Sequence, residues 1–125
     1  MEFTRYELYV LLNHREYDRW FVGIDLSEAI LDHVFFWRAR LDKANFNNAS
    51  LIGADLSNAS LIGADLTGAN LTGANLSRAN LSNADLTGAD LTGADLQNVN
   101  LDGAKFTREQ LAKASGVPGK YKRAR

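Results

Sequence analysis

The chain has 125 residues, a length that predicts one domain. Its 14 Lys and Arg nearly balance 15 Asp and Glu, so overall charge points neither to a nucleic-acid binder nor to an acidic tail protein. With no cysteine, disulfides, thiolate metal sites and cysteine nucleophiles are excluded.

The opening MEFTRYELYVLLNHREYDRW does not read as a secretory signal, because Glu7, His14 and Arg15 interrupt any apolar core. No apolar run approaches the roughly 20 residues that span a bilayer, and a cytoplasmic protein without a membrane anchor is expected. Residues 4–12 (TRYELYVLL) predict a short helix with Leu8, Leu11 and Leu12 on its apolar face, ended by Asn13-His14. Residues 1–23 are therefore read as an N-terminal cap, with the first irregular turn beginning near Trp20.

From residue 24 to residue 106 the chain repeats with a period of five. Every residue numbered 5n+1 from Leu26 to Phe106 is Leu or Phe, seventeen in succession. This position is the centre of each unit. Two residues before it stands a second apolar residue, usually Ala, as in Ala39, Ala44 and Ala49. The residue just before the centre is mostly Asp or Asn, the one after it mostly Ser or Thr, and the one after that mostly Gly or Asn.

Neither a helix nor a long strand accommodates this period. In a helix, residues five apart lie about 140° round the axis, so no stripe forms. In a straight strand they point to opposite faces. The two apolar positions are two apart, so each unit is locally extended, and the recurring Gly or Asn supplies the turn. Such units bury nothing alone and must stack as a coil. Ala in the second apolar row keeps the tube narrow.

Residues 107–119 predict a C-terminal cap helix. Thr107-Arg108-Glu109-Gln110 reads as a capping box, with the helix running to about Ser115, Gly116 ending it and Pro118 blocking extension. Leu111 keeps the five-residue register and is expected over the last coil. Residues 120–125 predict a basic flexible tail. Residues 24–106 hold ten acids and five bases, a net of −5, and residues 107–125 hold one acid and six bases, a net of +5.

Units such as Ala64-Asp65-Leu66-Thr67-Gly68 and Ala74-Asn75-Leu76-Ser77-Arg78 resemble those of the pentapeptide-repeat proteins, over about two-thirds of the chain. The resemblance implies an all-β solenoid: a right-handed quadrilateral β-helix of about four coils, with short helical caps at both ends. Four units per coil would align Asp25, Asn45, Asp65 and Asp85 in one column. At ~4.8 Å per coil the rod would be about 20 Å long.

Nothing in the sequence predicts catalysis, a metal or a cofactor. His14 and His33 stand alone, no Gly-x-Ser-x-Gly elbow or phosphate loop occurs, and the Asp residues keep repeat spacing rather than that of a calcium loop. The informative residues are those that depart from the repeat. Phe35 and Trp37 flank the centre Phe36 and are expected to point outward, with Arg38 and Arg40 beside them. Aromatic residues next to Arg are the composition of binding hot spots. Two readings are open: the N-terminal segment folds over this patch, or an unidentified protein partner does.

The resemblance implies a non-catalytic bacterial protein-interaction scaffold or regulator. The alternative it offers is a DNA mimic that binds gyrase, from which this chain departs in its short, mildly acidic rod without an evident loop insertion. Nucleic-acid binding through the tail is not expected, and the chain is read as a monomer or an end-to-end homodimer.

Overall fold

A computed structural model describes residues 21–122. The helix expected over residues 4–12 and the last three residues of the basic tail lie outside the described residues.

Parallel bridges join Asp25 to Asn45, Ile30 to Ser50, Phe35 to Asp55 and Arg40 to Ser60, and the same spacing of twenty recurs up to Asp95 with Ser115. One coil is therefore four five-residue units, and the chain is a β-solenoid of a little over four coils. The column Asp25, Asn45, Asp65, Asp85 forms as expected and continues to Lys105.

Its interior is apolar and regular. Leu and Phe at the centre positions from Leu26 to Leu101 are buried, as are the small residues of the second row from Ala39 to Val99. Each buried centre contributes roughly 1.5–3 kcal/mol by transfer out of water.

The backbone hydrogen bonds of one unit show why its sequence is what it is. In Ala64–Gly68, the Ala64 N–H donates to Leu61 O within the preceding turn. Asp65 N–H donates to Ala44 O in the coil below, and Leu66 N–H to Asp85 O in the coil above. Gly68 N–H donates to Thr87 O, also above. Only Thr67 N–H has no carbonyl partner, and the Asp65 carboxylate accepts it at 2.9 Å. Buried or half-buried N–H groups need an acceptor, so the residue before the centre is Asp or Asn. The same bond recurs from Ser27 onto Asp25 up to Asp102 onto Asn100.

Every corner, from Gly23 to Gly103, has positive φ between 56° and 74°. With the bond from the fourth turn residue back to the first, this is the type II turn signature, which favours Gly and then Asn at its third position. At Gly68 a Cβ would also fall 2.2 Å from Asn48 Oδ1 in the coil below. Five corners are neither Gly nor Asn: Glu28, His33, Arg38, Lys43 and Arg78. For such residues the left-handed conformation costs about 1–2 kcal/mol each.

Where the residue before the centre is Ser, the coil below supplies the missing acceptor. Asp42 accepts the Ile62 N–H at 3.1 Å and the Ser60 hydroxyl. Asp32 does the same for Ile52 and Ser50. Serine is one bond too short to reach its own turn, and the aspartate one coil away takes the place of an Asn.

At the C-terminal end the last coil is closed partly by backbone and partly by side chains. Lys105 O accepts the Leu86 N–H and Ser115 O accepts the Leu96 N–H, continuing the backbone ladder. Gln110 Nε2 donates to Leu86 O and Ala89 O. Helix α1 (Arg108–Ala112) starts in the expected capping box: Gln110 Oε1 accepts Thr107 N–H at 2.7 Å and Thr107 Oγ1 accepts Gln110 N–H at 3.2 Å. Leu111 is buried over the last coil. The helix is shorter than expected because the chain returns to the coil, where Ser115 pairs with Asp95; Gly116 then takes a left-handed corner.

The expectation of a free tail from residue 120 is corrected. Gly119–Lys122 form a helical turn, α2, and Tyr121 is 7% exposed. The reason lies in the register: Tyr121 is twenty residues beyond Leu101 and sits where the next centre would be. Its hydroxyl accepts the Leu101 N–H at 2.8 Å, the place a backbone carbonyl fills in the coils below.

Two outcomes test this account. Ala74→Leu adds three carbons at a site with 0% exposure, where overpacking costs about 1–3 kcal/mol or more. It is expected to unfold the coil; a melting curve equal to that of the parent would place the Ala row outside the tube. Asp42→Ala is expected to destabilise by about 1 kcal/mol, and Ser60→Asn in the same chain to restore most of it. Failure of that rescue in thermal melts would break the acceptor-swap explanation.

Candidate functional site

Phe35, Trp37, Arg38 and Arg40 all lie on the first coil and all are exposed. Their direction follows from Phe36 between them. Phe36 is 0% exposed and packs edge-on against Phe21 and Phe46, with centroids 6.2 and 6.3 Å away. In an extended segment its two neighbours then face outward. Phe35 is 49% and Trp37 39% exposed, and their rings lie 6.4 Å apart on one face. Phe35 occupies the position that elsewhere carries the turn-bonding Asp or Asn; its column partner one coil on is Asp55.

Arg38 stands at the following corner with φ 60°, and its guanidinium lies 5.1 Å from the Trp37 ring centroid, a cation–π contact. Arg40 pairs with Ser60 on the next face. The structure thus brings Phe35, Trp37 and Arg38 into one contiguous patch and places Arg40 round the corner from it. Further exposed apolar residues lie on the neighbouring faces, Ile30 on the preceding one and Val22 and Ile62 in the column of Asp42 on the following one. Ile30 is 68% exposed, Val22 50% and Ile62 37%. His33 lies in the column beneath Gly53, whose missing Cβ would fall 2.5 Å from His33 Nδ1.

The corner residues Glu28 and Lys43 are not among the departures from the repeat named above. The signal was available, since the corners from Asn48 to Gly103 are Gly or Asn except at Arg78.

The opposite end has a different character. A groove of about 380 Å³ lies against the C-terminal cap, with Leu111, Ala114, Val117 and Tyr121 in its lining and Arg108 and Lys122 beside them. Among the described residues its lining carries no His, Asp or Glu. Among the described residues no group of three or more His, Asp or Glu is placed to hold a metal, and no helix is long and apolar enough to cross a membrane.

Beside the groove, Asp102 ties the last helical turn down. It accepts from the Tyr121 hydroxyl at 2.8 Å and from Lys120 Nζ at 3.0 Å. The Tyr121 hydroxyl, and then Lys120, hold the Asp102 carboxyl below the usual carboxylate range; Asp102 in turn raises the Lys120 ammonium. Along the coils, Thr87 and Thr92 hydroxyls, followed by their backbone N–H groups, lower Asp85 and Asp90 in the same way.

Comparison with known proteins gives a consistent picture. A family model described as pentapeptide repeats matches in eight copies, over residues 21–58, 40–78, 49–88 and 69–108. A pentapeptide repeat protein from the Arabidopsis thaliana thylakoid lumen is 35% identical, with 83% of this chain and 69% of that one aligned at a TM-score of 0.74. A pentapeptide repeat protein from Nostoc PCC 7120 is 33% identical over 89% of this chain and 93% of that one, at a TM-score of 0.54. A plasmid-mediated fluoroquinolone resistance protein is 24% identical over 72% of this chain and 54% of that one, and its TM-score of 0.32 lends nothing to the DNA-mimic reading. No curated protein matches the chain significantly.

The clamp at Asp102 has a defined pH dependence. A carboxyl lowered by folding contributes stability above its ordinary value of 3.8 and loses it as pH falls through the folded value. The protection factor of the Leu101 amide, measured against its intrinsic rate at the same pH, is expected to fall in that acid range and, at neutral pH, in Tyr121→Phe, while the middle coils stay protected. Unchanged protection of Leu101 in Tyr121→Phe would show that the hydroxyl is not what closes this side.

Proposed function

Because the chain belongs to the pentapeptide-repeat family, we propose that it is a non-catalytic scaffold or regulator that binds a protein partner through its first coil. The right-handed quadrilateral β-helix of that family makes a stiff rod whose polar walls offer little for a partner to bury. One observation carries the reading: the polar wall is broken on the first coil by Phe35 and Trp37, 49% and 39% exposed, with Arg38 stacked on the indole. Residues that carry most of the energy at protein interfaces are enriched in aromatics, which bury large areas while losing few rotamers, and in Arg, whose planar fork both stacks and hydrogen-bonds.

Retention from a native lysate on the immobilised protein tests this. The parent is expected to hold a specific partner, and Trp37→Ser, folded by circular dichroism, to lose it by about tenfold or more. Equal retention by Trp37→Ser would move the interaction surface elsewhere, and recovery of gyrase subunits would favour the DNA mimic instead. If Trp37→Ser fails to fold, Phe35→Ser serves as the second variant.

A further inference from the structure

The first coil gives up both local rules of the repeat over the same stretch. Its corners Glu28, His33, Arg38 and Lys43 hold φ of 61°, 61°, 60° and 59°, whereas from Asn48 onward only Arg78 departs from Gly or Asn. The positions before its centres include Ile30, Phe35 and Arg40, none of which has a side-chain oxygen to accept a turn N–H. Backbone positions held in a sparsely populated region at the expense of stability cluster where function needs their side chains.

What those side chains share is charge beside aromatic surface. Three of the five bases in residues 24–106 are Arg38, Arg40 and Lys43, on a rod that is otherwise acidic. Arg38 and Lys43 are exposed, and neither forms an ion pair among the described residues. The nearest acid in sequence, Asp42, is turned to Ser60 and the Ile62 N–H. Among the described residues, the five exposed large hydrophobic side chains fall between Val22 and Ile62.

We infer that Arg38 and Lys43 are binding positions kept at the expense of the turn, and that the partner presents an acidic segment with an apolar side chain. Its carboxylates lie on Arg38 and Lys43 and its apolar side chain beside Trp37. The inference rests on the scaffold reading above and adds the chemistry of the partner. Arg78 is the built-in control: it has the same left-handed corner, φ 60°, in the same column as Arg38 but two coils away from the patch.

Fluorescence anisotropy with a labelled peptide of glutamates around one phenylalanine tests it. The peptide is expected to bind at low salt and to release as salt rises, and its lysine counterpart not to bind. Lys43→Asn is expected to melt roughly 2–5 °C higher than the parent and to bind at least about fivefold more weakly. Arg38→Asn should bind more weakly still, with a smaller gain in melting temperature because it also loses the stacking on Trp37. Arg78→Asn should melt higher and bind as the parent does.

The proposal is overturned if the acidic peptide binds no better than the basic one, or if a duplex oligonucleotide outcompetes it. It is also overturned if Arg78→Asn loses as much affinity as Lys43→Asn, or if the corner variants gain stability and keep their affinity. Partner retention lost in Trp37→Ser but untouched in Arg38→Asn and Lys43→Asn would leave the scaffold reading standing and this inference refuted. Peptide binding without any retained lysate partner would overturn the scaffold reading, and with it the partner inferred here, leaving only an affinity of the patch for acidic peptides.

Discussion

A corner with positive φ recurs at every fifth residue from Gly23 to Gly103, and it is what closes the chain into a tube. Four such corners bring residue i beneath residue i+20, so the same chemistry meets itself in each column. Once that register is set, two apolar side chains per unit face inward and the backbone groups between corners meet carbonyls above or below. Burial and hydrogen bonding are thus not independent contributions here; both follow from the turn.

The repeat leaves one N–H per unit that the backbone cannot satisfy, and most of its outer chemistry answers to that group. Asp and Asn before the centre exist to accept it, which is why the rod is acidic without being built for acidity. Ser or Thr after the centre adds a hydroxyl to the same oxygen, as Thr92 does to Asp90 at 2.6 Å. Asp32 and Asp42 show that the demand matters more than the position that meets it. Where the repeat ends, Gln110 takes over the role toward the Thr107 N–H, so the capping box of α1 is continuous with the logic of the coils.

The row of Leu and Phe centres made the solenoid legible from sequence, and the outward direction of Phe35 and Trp37 followed from their place beside Phe36. The function of the Asp and Asn row was not legible, because a surface carboxylate that bonds a turn looks the same in sequence as one that is merely solvated. Tyr121 was missed for a different reason. Its neighbours Lys120 and Lys122 suggested a solvated tail, yet its number falls in the centre register and its hydroxyl can stand in for a carbonyl. The corners Glu28 and Lys43 were passed over because a period-five pattern is recognised by its matches; their departure from Gly and Asn stands in the sequence, and the structure adds the positive φ that makes it costly.

The pairing of residue i with residue i+20 also makes the two ends of the molecule into hands on a dial. Removing twenty residues from the middle would shorten the rod by one storey and leave the Trp37 face and the Asp102–Tyr121 clamp at the same relative bearing. Removing five would keep the interior sequence pattern intact and yet swing one end a quarter turn against the other. Length and bearing are therefore separately adjustable in this molecule, one in steps of a coil and the other in steps of a unit, without a single core residue changing its identity.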